Sequence, residues 1–458
     1  TYFEYLEEHI IKEYNLNNKD PKILEGLAKM NFFYNNMEKA SFFYEKLLEI
    51  NPNFKNIWSS FLASLNYHSK YDQKKYLEFC NKFDEFLKLE IDEFTPNIKK
   101  NEKIKIGFFS ADFKYHSVSL FLIDLIKKLN KEEFELFAIS NLEKSNHDEM
   151  TNDLKDNFDQ WHDVSNTSDI ESIKLIRSLN LDILIDLAGH TYKNRVSVIR
   201  ARCAPKQILW LGYNNSLGVE NIDYIIADPN LVKKEEYKFY KEKIIFMPKI
   251  WNALPKPINL PEINFYSDKD KCFTYGSFNN FQKISSETIK TWSKILKDGD
   301  AKLILKSSTS FDEKNLNKFL INKFKKENIG EDKIEILSRK KTYLEHLESY
   351  NKIDLSLDTF PYPGVTTSFE SVSMGTPVLT MKGFNFNSRC GESINKNLCL
   401  ENLIANNEDD YIDKALSIKK ENKIDQKYKH NLRSNVLKSC LFDTETFAKD
   451  FGSLLKSL

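Results

Sequence analysis

The residues best suited to chemistry fall in a few short runs. In "FPYPGVTTSFESVSMGTPVLT", Phe360 to Thr380, the chain spends three of its 12 prolines and two of its 13 glycines around Thr366 and Thr367, which lead into a helical pattern. Gly364 would let the backbone approach a ligand, and the threonine hydroxyls with the first N–H groups of the helix would converge on one anionic group. Glu370, one turn further on, is placed to accept from ribose hydroxyls, as carboxylates do in nucleotide-binding folds. Upstream, "GSFNNFQKISSETIKTWSKIL" sets Asn279, Asn280 and Lys283 between a strand and a helix that "SSET" can cap, an arrangement suited to a diphosphate. Lys306 ends another strand, and His346 lies on a short helical stretch before the proline turn, where a flat ring can stack on a base. Singly, each lysine reads as solvated surface, the histidine as decoration and the turn as punctuation. Their repeated placement at strand ends weighs against that reading.

The first half of the chain repeats the arrangement. "SADFKYHSVSLFLIDLI" puts Asp112 and His116 in a strand-to-helix loop, where a histidine serves as base, hydrogen-bond donor or helix cap. From that loop alone the cap is slightly favoured. "LDILIDLAGHTYKNRV" places His190, Thr191, Lys193, Asn194 and Arg195 after a later strand, and polar density at two strand ends shifts the balance towards a site. Gly212 and Gly218 in "WLGYNNSLG" read as tight-turn glycines. With no GxxxxGK[ST] loop and no GxGxxG, neither a P-loop ATPase nor an ordinary dehydrogenase is encoded.

The elements that must position these residues come in three stretches. Residues 1–98 repeat apolar side chains at helical spacing, and Leu27, Ala28, Ala40, Tyr44 and Pro52 are spaced much like one tetratricopeptide repeat, or like an ordinary helical hairpin. From 99 to 255 short apolar runs alternate with amphipathic helices: "KIKIGFFS", "FELFAIS", "LDILIDL", "QILWLG" and "DYIIAD" read as buried parallel strands. The proline-spaced "MPKIWNALPKPINLPEIN" makes a linker, and 256–458 resumes with "CFTYGSF", "AKLILKS", "KIEIL", "IDLSLD" and "PVLTM". The expected fold is α/β, two Rossmann-like domains facing a cleft, preceded by an all-helical segment.

Lys plus Arg equals Asp plus Glu at 67 each, so no global charge draws the chain to nucleic acid, and phosphate recognition must be local. No apolar run reaches the roughly 18 residues of a membrane span. The six cysteines are scattered without metal-ligand spacing, which fits free thiols in a reducing cytoplasm. The start, "TYFEYLEEHIIKEY", has neither the form of a signal peptide nor an initiator Met, and is expected to be a trimmed end.

Taken in order, "FFSADFKYHSVSLFL", "DLAGHTYKNRVSVIRARCAPKQILWLGY", "GSFNNFQKISSETIKTWSKIL", "LDTFPYPGVTTSFESVSMGTPVLTMKG" and "FNSRCGESI" resemble the catalytic region of the O-linked N-acetylglucosamine transferase family, in its bacterial and Spindly-type members. "FLASLNYHSKYD" resembles the bridge those bacterial proteins carry between repeats and catalytic part. The resemblance implies a GT-B fold and an inverting, metal-independent transfer of N-acetylglucosamine from UDP-GlcNAc to Ser or Thr of a protein, docked through TPR-like helices. No cofactor is implied beyond the nucleotide sugar as co-substrate. His116 matches the family's active-site histidine, Lys283 its diphosphate lysine, Asn280 a phosphate-contacting glutamine and His346 the base-stacking histidine. Thr366 and Thr367 match the phosphate threonines, and Glu370 takes the place of the ribose acid. His190 and Arg195 are candidates for the acceptor or sugar side.

The chain departs from the pattern at "GYNNS" (212–216), at Val365 beside the threonines and at Tyr343, which replaces a base-proximal lysine. Related alternatives are glucose transfer to asparagine and fucose transfer from GDP-fucose. A decayed interaction scaffold is the rival of another class, ranked lower because His116, Lys283 and both threonines persist.

Overall fold

The structure, a computed structural model, describes residues 9, 11–14, 17–68, 71–89, 91–96, 102–264, 272–306 and 313–458. The opening "TYFEYLEE", residues 69–70 within "FLASLNYHSKYD" and the last residue of "AKLILKS" lie outside the described residues. The chain divides into two compact units, one of residues 1–51, 64–70 and 257–439, the other of 52–63, 71–256 and 440–458. Helices Pro21–Phe33, Met37–Ile50, Lys55–Leu65 and Gln73–Phe86 make up the helical first part, as its spacing predicts.

In the second of these units, among the described residues, seven strands form one sheet: β1 (Ile104–Ser110), β2 (Phe134–Ser140), β3 (Gln160–Asp163), β4 (Ile183–Asp186), β5 (Lys206–Leu209), β6 (Tyr224–Ala227) and β7 (Lys243–Phe246). Their order is β3-β2-β1-β4-β5-β6-β7, and every pairing is parallel. Ile106 on β1 stands opposite Leu136 and Ile183, so apolar side chains line up across the sheet and bury on both faces. The C-terminal helix Thr444–Lys456 returns to this unit, with Phe451 4.7 Å from the Trp210 ring and the Thr444 hydroxyl 2.9 Å from Asp124 Oδ2.

The other unit holds β8 (Phe273–Ser277), β9 (Ala301–Lys306), β10 (Ile334–Leu337), β11 (Leu355–Leu357), β12 (Val378–Met381) and β13 (Ile404–Ala405). Their order, β10-β9-β8-β11-β12-β13, is the doubly wound 3-2-1-4-5-6 arrangement, again all parallel. Tyr275, Trp292, Leu303, Leu355 and Tyr411 fill its core, and Tyr34 from the first helical hairpin joins them, edge-on to Phe319 at 5.0 Å. The Asn35 amide donates to the Phe281 carbonyl at 3.2 Å, which ties that hairpin to the segment carrying Lys283.

Three strands escape the sequence pattern: β3, β7 and β13. All three lie at sheet edges, and of these "QWHD" and the two-residue β13 show no buried apolar run to read. The reversal of strand order lies between β8 and β11, and the loops that follow these two strands carry Lys283 and the proline turn.

Candidate functional site

The densest polar constellation follows β8 and β11. Asn280 caps the short turn Phe281–Lys283, its Oδ1 accepting from the Gln282 amide at 3.1 Å, and this hands the chain to helix Ser286–Lys297, capped by Ser285. Lys283 is thereby directed at the proline turn. Its Nζ donates to the Pro363 carbonyl at 2.9 Å and lies 4.3 Å from the Tyr362 ring centroid. Burial pushes the Lys283 ammonium down to about 8, against the pull of Asp358.

The turn is built around Asp358, at the end of β11. Its Oδ1 accepts from the Gly364 amide at 2.7 Å and from Asn279 Nδ2 at 3.1 Å, and its Oδ2 accepts from the Thr380 hydroxyl at 2.8 Å. Burial raises its carboxyl to about 6, although these donors and Lys283 oppose the shift. Gly364 has no room for a side chain: a Cβ there would stand 2.3 Å from Thr367 Oγ1 and 2.6 Å from Asn279 Oδ1. The helix Thr366–Ser373 starts directly after, with Val365 at the capping position. A valine has no acceptor for the first-turn N–H groups, so the residue that fits a phosphate loop least in the sequence leaves the helix N-terminus uncapped by a side chain.

A second cluster lies along the same helix. Lys306 donates to Nδ1 of His346, and His346 Nε2 is 2.9 Å from Glu370 Oε2. With Nδ1 accepting, the ring proton sits on Nε2 and points at the carboxylate, which fixes the ring plane. The Tyr350 hydroxyl lies 3.1 Å from the Thr367 carbonyl and 3.4 Å from Glu370 Oε2. Phe278, Tyr343 and Tyr350 surround the imidazole at 5.6 to 6.1 Å between ring centroids. Glu370 is buried, with Oε2 engaged by His346 and Tyr350. Burial also lowers Lys306 to about 8.

Thus Lys283, Asn280, Gly364, Thr366 and Thr367 come together around one turn, and Lys306, His346 and Glu370 form a hydrogen-bonded chain beside it. Sequence reasoning missed Asp358 as the organiser of the turn and Tyr362 as the ring under Lys283. The signal for Asp358 was a carboxylate closing "LSLD" just before a glycine turn, legible only to a reader asking what holds the turn's N–H groups.

The other unit places its candidates differently. His116 caps helix Ser117–Lys128, Nδ1 accepting from the Val118 amide at 3.3 Å, with Asp112 Oδ2 3.7 Å away. In that tautomer Nε2 carries the proton and is a donor, suited to orienting a hydroxyl. The ring is 44% exposed, so it is open to a substrate. His190 is an interior tie instead, with Nδ1 3.3 Å from the Ser59 hydroxyl, Nε2 3.0 Å from the Leu217 carbonyl and burial holding it neutral down to about 4. Arg195 spends all five N–H donors inside its unit: on Asp169 at 2.7 Å, Asn141 Oδ1 and the Val164 carbonyl at 3.2 Å, the Thr167 carbonyl at 3.1 Å and the Ser172 hydroxyl at 3.0 Å. Both side chains are engaged within the fold of their own unit. Arg195 is a strut of that fold.

Among the described residues no group of three His, Cys, Asp or Glu side chains is placed to hold a metal ion, and no helix is long and apolar enough to cross a membrane.

Known proteins bear on this geometry. The model of glycosyl transferase family 41 matches residues 69–253 and 252–451. A protein of Solanum lycopersicum named probable UDP-N-acetylglucosamine--peptide N-acetylglucosaminyltransferase SPINDLY is 28% identical over 420 residues, 90% of this chain and 45% of that protein. Its namesake in Oryza sativa subsp. japonica is 29% identical over 425 residues, 91% of this chain and 45% of that protein. The chain therefore spans a little under half the length of these relatives. In structure it resembles the K341M mutant of Thermobaculum terrenum O-GlcNAc transferase, with a TM-score of 0.85 at 24% identity over 98% of this chain and 86% of the other. It also resembles Anabaena Alr3699/HepE in complex with UDP and glucose, with a TM-score of 0.52 at 14% identity over 78% of this chain and 100% of the other. These likenesses are of fold, and the fold is GT-B, with two Rossmann-like parallel-sheet domains and a helical first part. With the family model matched along both sheets, this chain belongs to glycosyl transferase family 41.

Proposed function

We propose that the chain transfers a sugar from a nucleoside diphosphate sugar to a protein hydroxyl, specifically N-acetylglucosamine from UDP-GlcNAc to Ser or Thr, with inversion and without a metal. The observation that carries this reading is Lys283 held at the turn that opens helix Thr366–Ser373, 2.9 Å from the Pro363 carbonyl. The names of the relatives, as UDP-N-acetylglucosamine--peptide transferases, support the donor and the acceptor class.

As the acceptor oxygen bonds to the anomeric carbon, the bond from that carbon to the diphosphate breaks and negative charge grows on the leaving group. Lys283 and the uncapped helix N-terminus meet that charge electrostatically. The His346 ring takes the base by stacking, and Glu370 the ribose. His116 orients the acceptor hydroxyl through its Nε2–H, and the hydroxyl proton leaves with solvent or a substrate oxygen. The helical part offers the acceptor a docking surface, and the site of action is the cytoplasm.

The test is intact-mass spectrometry of candidate acceptor proteins incubated with the chain and a panel of UDP and GDP sugars, with fragmentation to locate the sugar. A mass gain of one N-acetylhexosamine on Ser or Thr is expected, lost by a factor of about 100 to 1,000 in Lys283→Met. Modification of asparagine, or transfer only from GDP-fucose, overturns the specific donor and acceptor. Normal turnover by Lys283→Met overturns the role of the lysine, and silence with every donor favours an interaction scaffold.

A further inference from the structure

Lys283 does not stand alone on the proline turn. Its ammonium lies 4.3 Å from the ring centroid of Tyr362, and Tyr362 in turn stacks on Tyr67, at 4.6 Å between centroids and 23° between planes. Tyr67 belongs to the segment after helix Lys55–Leu65. Phe32 meets it edge-on at 6.0 Å, and the neighbouring Asn66 carbonyl accepts from the Asn387 amide at 3.4 Å. The turn holds Tyr362 from its own side, since its carbonyl accepts from the Thr359 hydroxyl at 2.7 Å.

We propose that Tyr362 is a positioning residue for Lys283, keeping its ammonium charged and aimed at the phosphate turn, and that Tyr67 braces Tyr362 from the helical segment. The proposal rests on the reading of Lys283 as the diphosphate cation. A neutral amine cannot meet the charge of a leaving diphosphate, and a desolvated ammonium is the form a ring face favours. Burial drives Lys283 down to about 8, and the groups that oppose it are Asp358 from the end of β11 and Cys390 from the helix Cys390–Asn397. Both stay in place when Tyr362 is changed. Lys306, which burial also lowers to about 8, interacts with Glu370, Arg339 and Lys340 at the other cluster, so its titration is common to all the variants.

The experiment compares wild type, Tyr362→Phe, Tyr362→Leu and Tyr67→Leu. First, the Lys283 side chain is titrated by NMR of its ε-carbon, which needs no turnover. Second, kcat/KM for the nucleotide sugar is measured from pH 6 to 9.5. The expected result is a Lys283 pKa and an alkaline limb lowered by ~1 unit in Tyr362→Leu, restored in Tyr362→Phe and lowered less in Tyr67→Leu. Should Tyr362→Leu fail to fold, Tyr362→Met is read the same way. A titration that superimposes on wild type overturns the proposal. Absence of wild-type turnover with every nucleotide sugar overturns the functional reading instead, and the NMR titration still decides whether the ring holds the ammonium.

Discussion

The hydroxyl of Thr367 donates to Asn279 Oδ1 at 2.6 Å, while the Asn279 amide donates to Asp358 Oδ1 at 3.1 Å. A hydroxyl has one proton, so in this arrangement Thr367 turns only lone pairs towards a ligand, and the donors left for a phosphate are the N–H groups, the Thr366 hydroxyl and Lys283. Thr367 then acts as a strut that holds the turn. Thr367→Val and Asn279→Ala each break the same chain, and each should lower kcat/KM for the donor by about fivefold to thirtyfold, the worth of one or two buried hydrogen bonds. The double variant should lose little more than either single one. Steady-state kinetics on the four proteins checks this, and additive losses would mean that the two side chains act independently.

Glu370 accepts from His346 Nε2 at 2.9 Å and lies a full turn beyond the threonines, so it should serve the nucleoside end of the donor only. Glu370→Ala should weaken binding of a nucleoside diphosphate by about tenfold or more and leave inorganic pyrophosphate binding within about twofold. Isothermal titration with the two ligands separates these outcomes. Equal weakening of both would place the carboxylate at the phosphates.

The pH dependence follows from two buried groups with opposite needs. Lys283 must be protonated, and burial lowers it to about 8; Asp358 is fully an acceptor at both oxygens and a counter-charge to Lys283 only when ionised, and burial raises it to about 6. The profile of kcat/KM, which reports the free enzyme, should rise through about 6 and fall through about 8. Lys283→Arg cannot deprotonate in this range and should lose the part of the alkaline limb that belongs to Lys283. An unchanged limb in Lys283→Arg would assign the fall to Lys306.

Arg195 anchors its surroundings through five hydrogen bonds, one of which is also its ion pair to Asp169. Arg195→Met strands several buried acceptors and should cost about 2–4 kcal/mol of stability. Thermal denaturation should show a midpoint several degrees lower, while acceptor KM in the folded fraction stays unchanged. A raised KM without loss of stability would return Arg195 to the acceptor side.

Much of the fold was legible in the chain. "FELFAIS" and β2 share both ends, because a strand buried on two faces needs an uninterrupted apolar run. The cap predicted at "SSET" is present as Ser285 accepting from the Thr288 amide, since capping is settled within four residues. Strands β3 and β13 were not legible, because "QWHD" and a two-residue strand carry no apolar run, whereas the edge strand β10 was read from its own "KIEIL". In the site, residue types marked Lys283, His346 and the threonine turn, whereas the roles of Asp358 and Tyr362 depend on partners far away in sequence.

The sequence by itself determined the alternation of strands and helices, the loops in which cations, hydroxyls and carboxylates would gather, and the family those motifs resemble, because periodicity, capping and turn chemistry act over a few residues. Only the tertiary structure decided which of those groups remain open to a ligand. Arg195 and His190 were candidates for the acceptor or sugar side by sequence, and packing supplies Arg195 with five acceptors and His190 with the Ser59 hydroxyl and the Leu217 carbonyl. Whether a polar side chain serves the fold or a substrate depends on whether the folded chain has already satisfied its hydrogen bonds, and those partners arrive from helices and loops distant in sequence.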